Sequence, residues 1–335
     1  MSNKTNKQKI REKKSIFING GAGRVLASIP ALEKFAKKGE DFIIVSEGND
    51  DFFKNNKLLH KRTYHTNHKD LFKDFIKDST IIPVEPYRNK KYYNQECNIA
   101  QGFDLDINGE MSDNYEDYRA QVSLTRSEIS KGQMIVNDIK QQSGKSNMVV
   151  FQPFGSGVVN ENGKIFDPSG RSITYEAAID IIRELSKHSV VMVMANIEMP
   201  TPSDVKVGTI NVSLREWASV IKQADHFVGC DSVGQHIAFG LNKPCTVIFG
   251  STFPENVGYP GAKNYNTIDL GKDTREYSPI RISQDERVEM NNEECFNIQE
   301  SDIISISNYV KETLNTEPVQ VEKKKSCNSG KCCSN

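Results

Sequence analysis

The chain has 335 residues, of which 37% are hydrophobic and 26% are charged. This composition excludes a disordered chain, a collagen and a small disulfide scaffold, and the length suits about two domains. Lys and Arg number 43 against 44 Asp and Glu, for a net charge of −1. That balance argues against a protein that binds nucleic acid through charge alone.

The charge is uneven along the chain, since residues 1–145 carry a net +5 and the remainder carries −6. The basic half either faces an anionic acceptor or is an ordinary solvated surface. No apolar run approaches the roughly 18 residues of a membrane helix. The polar, basic residues 1–14 are not followed by the apolar segment of a signal peptide. We therefore expect a cytoplasmic protein.

The first half predicts a parallel βαβ unit. Residues 15–19 form a strand, Gly-Gly-Ala-Gly follows at 20–23, and apolar residues recur at helical spacing from Arg24. Pro30 is compatible with a helix that begins near Ile29. Strand, glycine turn, helix and strand in this order imply a parallel sheet. The next predicted elements are a strand at 41–46, a strand at 80–84, an irregular and functional loop at 86–114, and a helix at 115–142.

The second half repeats the same alternation. Helices are predicted at 172–187, 213–223, 234–241 and 301–314, and strands at 148–152, 189–195, 226–229 and 245–249. The sequence therefore predicts an α/β protein with two Rossmann-like domains that face each other across a cleft.

Seven cysteines fall into two groups. Four are scattered singly, as buried cysteines of a reducing compartment are: Cys97, Cys230, Cys245 and Cys295. Cys327, Cys332 and Cys333 crowd a polar tail, which is either a soft-metal or redox site or a disordered thiol-rich end. Three sulfurs form an incomplete zinc site, and we favour the disordered end.

The glycine loop between the first strand and helix is one candidate site. Backbone amides of Gly20, Gly21 and Gly23 can approach an anion at a helix N-terminus, and Arg24 adds a cation there. Neither the dinucleotide nor the Walker A pattern fits, so a purely structural turn is the alternative. The histidines of the basic stretch 57–69 lack metal-site spacing, and this stretch is either an acceptor-facing surface or a solvated one.

A sharper signal lies in the second half, where Asp-Ser-Val-Gly-Gln-His at 231–236 follows a strand and opens a helix. The carboxyl edge of a parallel sheet is where ligands bind in open α/β folds. The candidate binding residues of segment 231–236 are Asp231, Ser232, Val233, Gly234 and His236. The alternative for Asp231 is a cap of the helix. A third loop at the same edge carries Gly155 and Ser156, with Arg171 as a diphosphate clamp or a surface arginine.

Two segments resemble glycosyltransferase family 9, the ADP-heptosyltransferases of lipopolysaccharide synthesis and their relatives. Residues 23–32 (GRVLASIPAL) are similar to the amino-terminal glycine loop and helix of that family. Residues 224–252 (ADHFVGCDSVGQHIAFGLNKPCTVIFGST) are similar to its longer and more specific carboxy-terminal signature. The resemblance covers residues 15–315, with 50–145 matched by architecture alone.

The resemblance implies a GT-B fold and a nucleotide-sugar donor held mainly by the carboxy-terminal domain. It implies that Asp231, Ser232 and His236 hold the diphosphate and sugar, that Arg171 contacts the phosphates, and that Glu198 lies near the nucleotide ribose. The fold class requires no metal. The nucleotide sugar is a substrate rather than a cofactor, so no cofactor is expected.

One residue departs from the family pattern. Heptosyltransferases have an Asp after the third glycine as the general base, and this chain has Arg24, which cannot accept a proton near pH 7. Either another group is the base or the acceptor and mechanism differ; Arg24 could also offset charge on the departing diphosphate. The candidate bases are Asp104, Asp106, Glu110 and His65.

The sequence thus predicts an inverting, heptosyltransferase-like glycosyltransferase with Arg24, Asp231 and His236 as its catalytic residues. The alternatives are a nucleotide-sugar epimerase or hydrolase of the GT-B fold and a catalytically silent nucleotide-sugar-binding module. The acceptor is expected to be a glycan, a lipid-linked molecule or another phosphorylated molecule, with a nucleic acid not indicated. The predicted boundaries are a basic arm at 1–14, an acceptor domain at 15–145, a donor domain at 146–315 and a disordered tail at 316–335.

Overall fold

The computed structural model describes residues 12–276 and 293–315. The strands are β1 (Lys14–Ile18), β2 (Phe42–Ser46), β3 (Thr63–His65), β4 (Thr80–Ile82), β5 (Met148–Gln152), β6 (Val159–Glu161), β7 (Lys164–Phe166), β8 (Val190–Val193), β9 (Gly208–Thr209), β10 (His226–Cys230), β11 (Cys245–Phe249) and β12 (Tyr265–Asp269). They form two parallel sheets. The first has the order β3-β2-β1-β4 and the second the order β12-β11-β10-β5-β8-β9, while β6 and β7 pair as a separate antiparallel hairpin.

Helices connect the strands of both sheets. They are α1 (Ala22–Lys37), α2 (Lys90–Tyr93), α3 (Ile99–Asn108), α4 (Arg126–Ser143), α5 (Tyr175–Leu185), α6 (Leu214–Gln223), α7 (Val233–Gly240), α8 (Pro254–Val257) and α9 (Glu300–Asn315). Strand–helix–strand connections between parallel neighbours place the carboxyl ends of the strands of each sheet at one edge. The predicted α/β class with two Rossmann-like units is confirmed.

Two predictions for the first half are wrong. The helix after the glycine loop begins at Ala22, and Pro30 lies inside it rather than near its start. The stretch predicted to be an irregular functional loop contains α3, whose N-terminus is closed by reciprocal hydrogen bonds between Asn98 and Gln101. One face of α3 packs against α1, so a large part of this stretch belongs to the core. Its many polar residues concealed that apolar face.

One hydrophobic cluster is continuous across both sheets. It includes Ile16 of β1, Leu26 of α1, Val136 of α4 and Phe227 of β10, all of them fully or almost fully buried. The helix α4 precedes the second sheet in sequence yet packs on α6, where Gly132 leaves room for the facing backbone. The predicted division at residue 145 remains a prediction; in the structure the helix before it already packs on the second half.

Polar contacts also join the two halves. The Asn98 side-chain amide donates to the Gly258 carbonyl at 2.8 Å. Arg119 donates to the Lys263 carbonyl at 2.7 Å, and its guanidinium lies 4.1 Å from the centre of the Phe239 ring. One of these hydrogen bonds is buried and the other is exposed, and both join segments of the two halves.

Candidate active site

A cavity of about 700 Å³ lies between the two sheet edges. Ligand pockets of drug-sized molecules typically occupy about 300–1,000 Å³. The first half contributes Gly21, Ala22, Gly23, Arg24, Asn49, Tyr87 and Ile99, and the second half contributes Gln152, Phe154, Gly155, Ser156, Arg171, Met194–Asn196, Ile210–Val212, Leu214, Trp217, Asp231–Val233, His236 and Val257. The cavity brings together three of the loops that the sequence singled out.

One end of the cavity is apolar. Met194 follows β8, Ile210 and Val212 follow β9, and Leu214 and Trp217 belong to the first turn of α6. Trp217 is the chain's single tryptophan. Apart from Asn196 and Asn211, this part of the wall is apolar, and it fits an aromatic ring system, whose faces gain from contact with apolar and aromatic side chains.

The N-terminus of α7 is capped from another strand. The backbone N–H of Gly234 donates to the side-chain carbonyl of Gln152 at 2.9 Å, and the Gln152 side-chain amide donates to the Ser232 hydroxyl at 3.1 Å. A Cβ at position 234 would lie 2.3 Å from that carbonyl oxygen, so only glycine fits. The Gly234 amide, predicted to bind the donor, is thus taken by Gln152, while Ser232 and Val233 line the cavity.

Asp231 lines the cavity with its carboxylate held on both oxygens. Oδ1 accepts from the Gln235 amide at 2.8 Å, and Oδ2 accepts from the Thr252 hydroxyl at 3.1 Å. Gln235 is itself held by the hydroxyl of Tyr265, which donates to its side-chain oxygen. Only 5% of Asp231 is exposed, so its carboxylate is oriented before any ligand arrives.

Arg171 places a cation on the same wall. Burial acts to lower its pKa, but the charges of Asp231 and Asp167 outweigh burial and the pKa is raised overall. Its Nε donates to the Ser169 hydroxyl at 3.3 Å. The guanidinium therefore stays charged and lines the cavity, where it can pair with an anionic ligand.

The loop that carries Gly155 and Ser156 also reaches the cavity. The Gly155 amide donates to the Ser172 hydroxyl at 2.8 Å, so this amide stabilises the loop, and exposed Ser156 is left to face a ligand. Asp167 accepts from that same Ser172 hydroxyl and fixes the segment between β5 and α5.

His236 stands at the meeting point of the two halves. Burial lowers its pKa to about 4, so the ring is neutral near pH 7. Its Nδ1 lies 2.8 Å from the hydroxyl of buried Tyr259. A Cβ at position 23 would lie 2.9 Å from Cδ2 of the ring and 3.3 Å from Nε2, so Gly23 allows the ring to pack on the glycine loop.

The glycine loop therefore has a packing role as well as a place in the cavity wall. Gly20 has a φ of 95° and turns the chain from β1 into α1, but it does not line the cavity. Gly21 is exposed to the cavity, with nothing within 4 Å of a Cβ placed there. The loop is therefore a structural turn at Gly20 and part of the cavity wall at Gly21 and Gly23.

Arg24 is paired rather than free. Its Nη1 lies 3.0 Å from a carboxylate oxygen of Glu85, its Nε donates to the Asn19 carbonyl at 3.2 Å, and its guanidinium lies over Tyr87 and Phe103. Only 4% of its side chain is exposed, against 22% for Glu85. Arg24 lines the cavity, whereas Glu85 lies behind it and lines a separate surface pocket together with Asp106.

None of the four candidate bases lines the cavity. Asp104 is buried in an ion pair with Lys34 and accepts from Tyr118, and Glu110 pairs with Lys34 and Lys38 on the surface. Asp106 accepts from the Glu85 amide, and His65 ends the edge strand β3.

Glu198 does not reach the cavity either. It is exposed two residues beyond Asn196, which does line the wall together with Asn211. A ribose contact by Glu198 remains a prediction. Of the residues that follow β8, only the first three, Met194–Asn196, face the cleft.

Sequence reasoning missed four residues of this region: Gln152, Trp217, Tyr259 and Glu85. Gln152 is the polar last residue of an otherwise apolar strand, and this pattern is visible in the sequence. Tyr259 and Glu85 reach the site through contacts between distant segments, which local pattern does not indicate.

Within residues 12–276 and 293–315, no three His, Cys, Asp or Glu side chains are grouped so that they could hold a metal ion. No helix in the same part of the chain is long and apolar enough to cross a bilayer. The four scattered cysteines are buried and unpaired, as predicted, and burial raises the pKa of Cys97 to about 11. The arm at 1–11 and the tail with Cys327, Cys332 and Cys333 lie outside the described residues.

Comparison with known proteins gives a family match to one segment and a fold for the chain. The family model of glycosyltransferase family 9 (heptosyltransferase) matches residues 208–281. No curated protein matches the sequence. The matched segment contains β10, α7 and β11, and with them the Asp231–His236 wall of the cavity.

Solved structures resemble almost the whole chain. The iron-containing dodecameric glycosyltransferase TibC from enterotoxigenic E. coli aligns with a TM-score of 0.58 at 10% identity, over 91% of this chain and 77% of that one. A glycosyltransferase family 9 protein from Veillonella parvula aligns at 0.56 and 11% identity, over 91% and 97%. E. coli ADP-heptose lipopolysaccharide heptosyltransferase II aligns at 0.56 and 12% identity, over 89% and 98%. These likenesses show the GT-B fold, and the family match at 208–281 falls on the segment whose sequence resembles glycosyltransferase family 9.

Proposed function

We propose that the protein transfers a sugar from a nucleoside-diphosphate sugar to an acceptor hydroxyl with inversion at the anomeric carbon. The observation that carries the proposal is the composition of the cavity wall, which combines apolar residues around Trp217 with Arg171, Ser232 and His236 beside Asp231. A nucleoside diphosphate combines the same two characters, an aromatic base and two anionic phosphates.

The donor lies with its base against Trp217 and its neighbours and its diphosphate at Arg171. Ser232 and His236 face the phosphate oxygens, and Asp231 accepts a sugar hydroxyl. Among the relatives, E. coli WaaC has a structure with ADP and TibC has one with ADP-D-β-D-heptose. We therefore expect an ADP-linked sugar before a uridine- or guanosine-linked one.

The reaction is a single displacement at the anomeric carbon. The acceptor oxygen forms the new bond from the side of the glycine loop as the bond to the diphosphate oxygen breaks, and the bonding pair leaves with the diphosphate. Arg171 and the α7 donors offset the charge that develops on the leaving group. Closing the cleft around both substrates places them for reaction.

Glu85 takes the acceptor's proton in this proposal. Its support is the ion pair with Arg24, which holds a carboxylate 3.0 Å from a residue of the cavity wall, although Glu85 itself does not line the cavity and must turn toward the acceptor. Arg24 contributes positive charge on the acceptor side. Glu85→Gln should lower kcat while leaving donor binding intact, because the amide keeps a hydrogen bond to Arg24 but cannot accept the proton.

Thermal shift with ADP, UDP, GDP, CMP and dTDP and their common sugars tests the donor class. A ligand at about 100 times its Kd stabilises the folded state by about 2.7 kcal/mol, which is several degrees. Arg171→Gln should abolish the shift, whereas Arg183→Gln should leave it unchanged, because Arg183 lies in surface ion pairs on α5. No shift with any nucleotide would contradict the proposal.

Turnover then separates transfer from hydrolysis. Nucleoside diphosphate released from the matching sugar should depend on an added glycan, lipid-linked or phosphorylated acceptor. Equal release without any acceptor would instead identify a nucleotide-sugar hydrolase, the alternative suggested by Arg24 at the position of the family's base.

A further inference from the structure

The Ser232 hydroxyl and the His236 imidazole lie at the start of α7 and face the cavity. Each has a partner that fixes the direction of its hydrogen. For Ser232 the partner is Gln152. Because the Gly234 N–H can only donate, the Gln152 group that faces it at 2.9 Å is the carbonyl. The other end of the same amide is therefore the NH₂ group, 3.1 Å from the Ser232 oxygen. Ser232 accepts from Gln152, and its own hydrogen is left for the cavity.

For His236 the partner is Tyr259. The Tyr259 side chain is 2% exposed, and burial raises the pKa of its phenol, which stays protonated. Among the described residues its hydroxyl has one hydrogen-bond partner, the His236 Nδ1 at 2.8 Å. A buried hydroxyl that finds no acceptor is costly, so the phenol donates and Nδ1 accepts. Because the ring is neutral, its single N–H is then on Nε2.

The Nε2 side of the ring faces the glycine loop and the cavity. A Cβ at Gly23 would lie 3.3 Å from Nε2, and both residues line the cavity wall. The phenol of Tyr259 is held in turn by Phe239, which stacks on it with ring centres 3.8 Å apart. Neither the ring nor its partner has room to turn over.

We propose that Gln152 and Tyr259 are positioning residues that make Ser232 and His236 fixed hydrogen-bond donors toward the cavity. The group bound there must accept hydrogen bonds from both, and a phosphate oxyanion of the donor, which can only accept, fits this best. His236 does not accept the acceptor's proton. This inference rests on the proposed function for the identity of the ligand, but the hydrogen placement is a property of the ligand-free protein.

The first test is a spectrum of the ligand-free protein. In ¹⁵N-labelled protein, long-range ¹H–¹⁵N correlations show which ring nitrogen carries the hydrogen, and His236→Gln assigns the signal. We expect the Nε2–H form of His236 from pH 6 to pH 8. Tyr259→Phe should change the signal to a mixture of the two forms, while Tyr118→Phe should leave it unchanged. Tyr118 is an equally buried tyrosine, 2% exposed, whose hydroxyl donates to Asp104 away from the cavity.

The second test uses ADP as the probe. Tyr259→Phe should weaken ADP binding by about three- to tenfold, the loss expected when a hydrogen bond to a charged group is made only part of the time. Tyr118→Phe should bind ADP as the wild type does, even if both variants melt at lower temperature.

Failure of the inference differs from failure of the proposed function. An Nδ1–H ring or an imidazolium at pH 7 overturns the inference, and so does a His236 signal unchanged by Tyr259→Phe. An Nε2–H ring in a protein that binds none of the nucleotides supports the hydrogen placement and overturns the proposed function instead.

Discussion

Replacement of Gly23 by alanine tests the contact between the glycine loop and α7. The added Cβ would lie 2.9 Å from Cδ2 and 3.3 Å from Nε2 of the His236 ring, and 3.6 Å from the Val233 Cα. Ordinary contacts of a Cβ begin near 3.4 Å, so the ring must withdraw by roughly half an ångström. Its hydrogen bond to Tyr259 opposes that movement.

The cost follows from these distances. Overpacking of a well-packed site typically costs about 1–3 kcal/mol. Alanine gains up to about 1 kcal/mol over glycine in a helix, and position 23 lies in the first turn of α1. We expect a net loss of about 1–2 kcal/mol, which is roughly 1–3 °C in melting temperature for a chain of this size. Nucleotide-induced stabilisation should fall as well, because His236 is displaced from the cavity.

Two companion variants make the measurement specific. Gly21→Ala places its Cβ in open space at a φ of −67°, so its cost is limited to weaker capping of α1. In a His236→Ala background the penalty of Gly23→Ala should vanish, because the obstacle is gone. A penalty of equal size in that background, or a Gly23→Ala protein that melts and binds nucleotide as Gly21→Ala does, would refute the reasoning.

Three further predictions concern other parts of the molecule. Arg24→Met should lower the free energy of unfolding in urea by about 2–4 kcal/mol, because it leaves the half-buried Glu85 without its ion-pair partner. A double-mutant cycle with Glu85→Gln that shows no coupling would contradict a stabilising role of this ion pair. Burial lowers the pKa of His226 to about 3 and that of His236 to about 4, against 6.5 unfolded, so stability is complete above pH 6.5 and falls as the pH drops toward 4. At pH 5 each ring should account for about 2 kcal/mol of that loss, and His226→Asn should roughly halve the difference in urea midpoint between pH 7 and pH 5. Gly132→Ala should cost about 2–3 kcal/mol, since its Cβ would lie 2.7 Å from the backbone of α6, and a wild-type melting temperature would contradict that packing.

The sequence was sufficient for the alternation of strands and helices. Buried parallel strands such as β5, β10 and β11 are short apolar runs between turn residues, and helices such as α6 carry caps that can be read locally. The amphipathic α3 was missed because Asp104 and Asp106 dilute its apolar face, and both are satisfied by partners far away in sequence.

The candidate site was predictable where one loop carries several polar residues. Asp231, Ser232 and His236 follow a strand and begin a helix, and the carboxyl edge of the sheet brings them to the cavity. The orientation of those groups depends on Gln152 and Tyr259, which come from other strands and loops. Local spacing carries no information on such contacts, so the polarity of the site became visible only in the structure.

The position of α4 has a consequence for how the protein unfolds. Because α4 packs on α6 and one hydrophobic cluster joins both sheets, neither half has a complete apolar core by itself. A fragment that begins at residue 146 lacks α4, so the face of α6 that packs on α4 is exposed to water. Such an exposed apolar face promotes aggregation. The two halves should consequently melt together, in a single calorimetric transition rather than in two successive steps.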